Sequence, residues 1–123
     1  MQTDSAVGAL DVLVGEWLTV PDVAERLDVG VSQVRGLIRS GQLIGLRIGD
    51  PPVLRIPADF LQNGALVRKL SGTLNLLRDA AYSDAEAVRW LFTPDSSLLG
   101  TPVQALRENR GTEVRRRAQA LGF

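Results

Sequence analysis

Residues 18–61, LTVPDVAERLDVGVSQVRGLIRSGQLIGLRIGDPPVLRIPADFL, decide the fold. Thr19-Val20-Pro21-Asp22 reads as a helix start, with Thr19 as N-cap, proline in the first turn and an acid three places after the cap. Val20, Val23, Ala24 and Leu27 recur at helical spacing and make one buried stripe, so this helix ends near Leu27. Asp28-Val29-Gly30 is a short turn in which Gly30 supplies either a positive φ or a cap. A second helix is expected from Val31 to Ser40. Val34, Leu37 and Ile38 face inward at i, i+3 and i+4, which leaves Ser32, Gln33, Arg35, Gly36 and Arg39 outside. Gly41 suits the left-handed position just past its end.

Beyond Gly41 the period changes from helical to alternating. Leu46 and Ile48 flank Arg47, a strand signal, and Gly49-Asp50-Pro51-Pro52 is a turn, because two prolines do not sit inside a ladder. Val53-Leu54-Arg55-Ile56 is the returning strand, so residues 45–56 form a hairpin with an arginine on each arm. Pro57 to Leu61 opens a third short helix, closed by Asn63-Gly64. Two short helices joined by a tight turn and followed by a hairpin form a winged helix-turn-helix. Its second helix, about 10–12 Å wide, suits the major groove of double-stranded DNA, about 12 Å wide. Helix 31–40 is then the recognition helix, and the wing lies on the backbone or in the minor groove.

Working outward, residues 1–16 mix small, acidic and apolar types without a clear cap and read as a flexible arm; residues 17–63 are the winged head. Residues 64–123 read as helical. Leu66 and Leu70 belong to a connecting turn, and Thr73 to Ala81 carries Leu74, Leu77 and Ala81 on one face. Ser83 to Glu86 is a capping box before Ala85, Val88, Leu91 and Phe92; Thr101-Pro102 caps a helix through Leu106, and a last helix spans Thr112 to Leu121. The fold class is mainly α with one small β-hairpin, a winged helix-turn-helix followed by a helical C-terminal domain.

The sequence is chemically poor. It has no cysteine and no histidine, which removes disulfides, thiol nucleophiles and the commonest base and metal ligand. No nucleophile, base and orienting group come together, so the expectation is a protein that is not an enzyme, with no cofactor and no metal. No apolar run approaches the roughly 20 residues that span a bilayer, and no basic region precedes the modest apolar stretch near the start. A cytoplasmic protein with no membrane partner is expected. Net charge is zero, with 14 basic and 14 acidic residues, so a DNA contact must use a locally clustered basic face.

The run from Leu18 to Leu61 resembles the excisionase and MerR-type winged helix-turn-helix. The carriers are the helix exit from Val34 to Leu43, Arg47-Ile48-Gly49 in the first wing strand and Arg55-Ile56-Pro57 in the second. The resemblance extends into the second half. Arg89-Trp90-Leu91-Phe92-Thr93-Pro94-Asp95 and Val114-Arg115-Arg116-Arg117-Ala118-Gln119-Ala120 are similar to the actinobacterial Rv2175c-type DNA-binding proteins, in which a winged head precedes a family-specific helical domain. That resemblance implies sequence-specific binding of double-stranded DNA and a role as transcriptional regulator. It also implies a Ser/Thr kinase as partner, a link that rests on the family's N-terminal tail; this tail is short and different, so no phosphosite is carried over and Thr3 is only a candidate.

The chain departs from the family at two places. Gly36 stands in mid-helix, at a cost of about 1 kcal/mol relative to alanine, and the wing tip Asp50-Pro51-Pro52 carries no base. Modest affinity is expected, and a homodimer or a protein partner held by the C-terminal domain would raise it. Each candidate contact has a plainer alternative. Ser32 and Gln33 contact bases or phosphate, or cap the helix; Arg35 and Arg39 reach DNA, or form a solvated face. Arg47 and Arg55 grip phosphate from the wing, or pair across strands with Asp50 or Asp59. Arg115-Arg116-Arg117 is a second binding surface or a solvated helix face. Trp90 and Phe92 read as core or interface. A second function class stays open: an adaptor whose helical half, loosely similar to antitoxin C-terminal domains, binds a protein.

Overall fold

The computed structural model describes residues 9–122; Thr3 lies outside them. Residues 9–14 are helical (α1), and Leu10 and Val14 on one side of that turn enter the core. This corrects the reading of residues 1–16 as a flexible arm, as far as they are described. Leu10 and Val14 are four apart and share a face, too short a run to register as amphipathic periodicity. The carbonyl of Glu16 accepts from Ala58 N–H at 3.0 Å, and Trp17–Thr19 follows as strand β1.

Thr19 then starts α2, Val20–Leu27, through a reciprocal capping box. Asp22 N–H donates to Thr19 Oγ1 (3.3 Å), and Thr19 N–H donates to Asp22 Oδ2 (3.1 Å). Asp28 takes the left-handed conformation that ends α2, with φ 57°, so Gly30 is left to cap the next helix at φ −80°. That helix, α3, spans Val31–Arg39, with Val34 buried and Leu37 and Ile38 half-buried against the core.

The wing is Leu46–Ile48 (β2) and Val53–Pro57 (β3), joined through Gly49 at φ 97° and a cis Asp50–Pro51 bond. It is not a lone hairpin. β1 adds antiparallel to β3, giving the order β1-β3-β2 with Leu18 opposite Ile56 and Leu46 opposite Arg55. Three residues are too few to show alternation, so β1 left no sequence signal.

The third helix expected from Pro57 is only a 3-10 turn, Ala58–Phe60. Asn63-Gly64 is instead the turn of a second hairpin, Leu61–Gln62 (β4) with Ala65–Leu66 (β5). Both turn residues have positive φ, 55° and 76°, as a two-residue hairpin of this kind requires. The boundary placed between residues 63 and 64 therefore falls inside a paired element.

Four helices follow: α4 Leu70–Asp79, α5 Asp84–Phe92, α6 Pro102–Arg107 and α7 Gly111–Ala120. Leu70 starts α4 and is fully buried, rather than lying in a connecting turn. Ala81 is exposed and left-handed at φ 67°, past the end of α4, so it does not share the buried face of Leu74 and Leu77. Ser83 and Glu86 form the expected capping box.

One apolar cluster runs through both halves, from Leu10, Val23, Val34 and Ile56 to Leu74, Leu91 and Val114. Phe60 and Phe92 meet within it, ring centroids 5.8 Å apart and tilted at 44°. Phe92 is thus core, as its spacing predicts. Arg107 closes the seam with two bonds from Nη1, to the carbonyls of Asp59 (2.9 Å) and Leu61 (2.7 Å). Its own carbonyl accepts from Gln62 Nε2 at 3.2 Å. No helix among the described residues is long and apolar enough to cross a membrane.

Candidate nucleic-acid interface

The outward face of α3 follows from its inward one. Val34 points to the core, and at 100° per residue Ser32 and Gly36 lie almost opposite it, with Arg35 and Arg39 along one flank. Ser32, Gln33, Arg35 and Arg39 are all exposed. Gln33 Oε1 accepts from Gly30 N–H at 2.9 Å, so part of this side chain caps its own helix, the plainer of its two readings. Ser32 carries no capping bond.

Arg35 and Arg39 sit one turn apart and, with Ile38 and Leu54, line a shallow groove of about 310 Å³ between α3 and the wing. Arg39 also complements the helix dipole at the last turn. Among the described residues neither arginine has a hydrogen bond or an ion pair.

The two wing arginines part company. Arg47 is opposite Leu54 in the ladder, and opposed residues share a face of the sheet. Leu54 touches the α3 groove, so exposed Arg47 stands on the same side as Arg35 and Arg39. Arg55 is opposite Leu46 and Thr19 and points to the other face. It is half-buried, with its Nε enclosed and making no hydrogen bond. Asp22 feels its charge: the Asp22 carboxyl is held below its ordinary range by the backbone N–H of Thr19 first and its hydroxyl next, with Arg26 and Arg55 adding. Neither Arg47 nor Arg55 forms the cross-strand ion pair with Asp50 or Asp59. Strand alternation could have separated the two arginines, but only with the register known.

A further residue bears on the site from outside it. Arg78, near the end of α4, donates from Nη1 to the carbonyl of Gly41 at 2.6 Å, just past the end of α3. It also lies 3.8 Å from Asp84. Nothing local in the sequence announces a contact 37 residues long. In the second basic segment, Arg115 and Arg116 are exposed on α7, whereas Arg117 donates from Nε to Ser97 Oγ at 2.9 Å.

Two family models match adjoining parts of the chain. Residues 8–61 match the model described as "DNA-binding protein Rv2175c, wHTH domain", and residues 67–122 match the "Rv2175c C-terminal domain of unknown function". The stretch between them, residues 62–66, lies within the β4–β5 hairpin. The chain is 42% identical over 117 residues to the DNA-binding protein Rv2175c of Mycobacterium tuberculosis (strain H37Rv), covering 85% of this chain and 79% of that one. The fold is similar to the NMR structure of Rv2175c, with a TM-score of 0.79 at 39% identity over 88% of this chain and 82% of the other. With both halves matched in order, the chain belongs to the Rv2175c family of winged helix-turn-helix proteins.

Proposed function

We propose that this chain binds double-stranded DNA sequence-specifically in the cytoplasm as a transcriptional regulator, with α3 in the major groove and the wing on the adjoining backbone. The observation that carries the reading is the convergence of Arg35, Arg39 and Arg47 on one side of the α3–wing unit, with no protein partner among the described residues. Ser32 adds a hydroxyl for a base edge or phosphate, and Gln33 offers only its Nε2 donor while its Oε1 caps Gly30. Arg55, on the other face, lies outside that convergence, where its charge is felt by Asp22 of α2. The role is binding rather than catalysis.

Only three cations of this face meet the DNA, so few counterions are released and the slope of log K against log salt should be shallow, about −2 to −3. Two copies on half-sites about one helical turn apart would multiply a modest single-head affinity. The test is fluorescence anisotropy on a duplex selected by the intact chain from a random-sequence pool, with salt varied. Arg35→Ala with Arg39→Ala should lose tenfold or more in affinity and flatten the slope. Unchanged binding by the double variant would remove α3 from the interface.

A further inference from the structure

Gly36 occupies an interior position of the nine-residue α3, on the face turned away from Val34. Its backbone is ordinary right-handed helix, and a Cβ built on it meets nothing within 4 Å. Neither conformation nor packing in the free chain calls for glycine here. Gly41 is the contrast: its φ is +84°, and its Cβ would stand 2.7 Å from Arg78 Nη1. Gly72 also has open space over it but lies in the first turn of α4, not in a helix interior. Among the described glycines, Gly36 combines an interior helical position with a place on the outward face beside Arg35 and Arg39.

We propose that Gly36 sets the depth at which α3 enters the major groove, its missing side chain letting the helix backbone approach the base edges so that Arg35 and Arg39 read guanines. A backbone that must come close to a ligand is a recognised use of glycine. The planar guanidinium matches the paired acceptors O6 and N7 of guanine, and two arginines one turn apart on the same flank suit separate guanines of one half-site. Any side chain at position 36 would project from the outward face beside them and hold the helix off the bases. The inference rests on the DNA-binding reading above and assigns that site its base class and a specificity-determining residue.

The experiment compares Gly36→Ala and Gly36→Gln with the unaltered full chain on two labelled duplexes, the selected one and a scrambled version of it. Both substitutions favour the helix, so Tm should rise by a few degrees in each, which excludes misfolding as the cause of any loss. Affinity for the selected duplex should fall tenfold or more for Gly36→Ala and further for Gly36→Gln, while affinity for the scrambled duplex stays within twofold. Replacing guanines of the selected site with inosine, which keeps O6 and N7, should preserve binding, and 7-deazaguanine should weaken it. Wild-type affinity in Gly36→Ala overturns the proposal, as does an equal loss on both duplexes. Those results are distinct from failure of the DNA reading, which appears as no binding of any duplex by the unaltered chain, and from exclusion of α3, which appears as retained binding in the Arg35→Ala, Arg39→Ala variant.

Discussion

The guanidinium of Arg78 donates to the carbonyl of Gly41 at 2.6 Å, so the end of α4 holds the residue just past the end of α3. The contact exists because Gly41 has no Cβ: one would sit 2.7 Å from Arg78 Nη1, and the φ of +84° disfavours any L side chain. The helical half thereby contributes to where α3 points.

Gly41→Ala should cost about 2 kcal/mol, from the left-handed conformation and the displaced guanidinium together. Arg78→Ala should cost about 1 kcal/mol, discounted because its side chain is 31% exposed. Urea unfolding of both and of the double variant provides the check. The double variant should fall short of the sum, since each change removes the same bond; strict additivity would show that the two residues act independently.

Phe60 and Arg107 join the winged head to the helices. Phe60→Ala removes a fully buried ring packed on Phe92 and should cost about 3–5 kcal/mol. Arg107→Gln forfeits the bonds to the carbonyls of Asp59 and Leu61 and should cost about 2 kcal/mol. Because one core serves both halves, unfolding followed by tryptophan fluorescence and by circular dichroism should give coincident transitions in each variant. Two resolved transitions would mean that the halves are energetically separate.

The wing arginines should separate by phenotype. Arg47→Ala should weaken DNA binding severalfold and reduce the magnitude of the salt slope by about 1 while leaving the urea midpoint unchanged. Arg55→Ala, on the opposite face and partly enclosed, should lower the urea midpoint and leave the slope as it was. Equal slope changes in the two variants would contradict the opposed placement.

Acid should loosen the two capping boxes. The carboxyls of Asp22 and Glu86 both titrate below their ordinary values of 3.8 and 4.5, held first by the backbone N–H groups of Thr19 and Ser83. A carboxylate depressed in the folded chain stabilises it above the unfolded value, and that stabilisation is lost as pH falls through the folded value. Tm should therefore decline as pH drops below 4.5, the ordinary value of Glu86. Asp22→Asn with Glu86→Gln should lower Tm at neutral pH and shrink that decline; an unaltered acid profile would show that other carboxyls govern it.

Much of the head was legible because its signals are local. The capping box at Thr19, the stripe from Val20 to Leu27, the inward Val34 and the alternation around Arg47 each lie within a few residues of one another, so propensity and period suffice. Leu10 and Val14, β1 and the β4–β5 hairpin were not legible, because stretches of two to six residues carry no periodicity of their own. They exist where the rest of the chain supplies a partner: β3 for Trp17–Thr19 and the shared core for Leu10.

The order of helices and wing, the outward placement of Arg35, Gly36 and Arg39, and the absence of thiol or imidazole chemistry were determined by the sequence itself, since each depends on residue type or nearest spacing. Only tertiary structure decided that Arg47 stands on the side of Arg35 and Arg39 and Arg55 on the other, that Gln33 turns back on Gly30, and that Arg78 grips Gly41. Register, amide orientation and contacts across dozens of residues are set by how elements pair and pack, which no local pattern encodes.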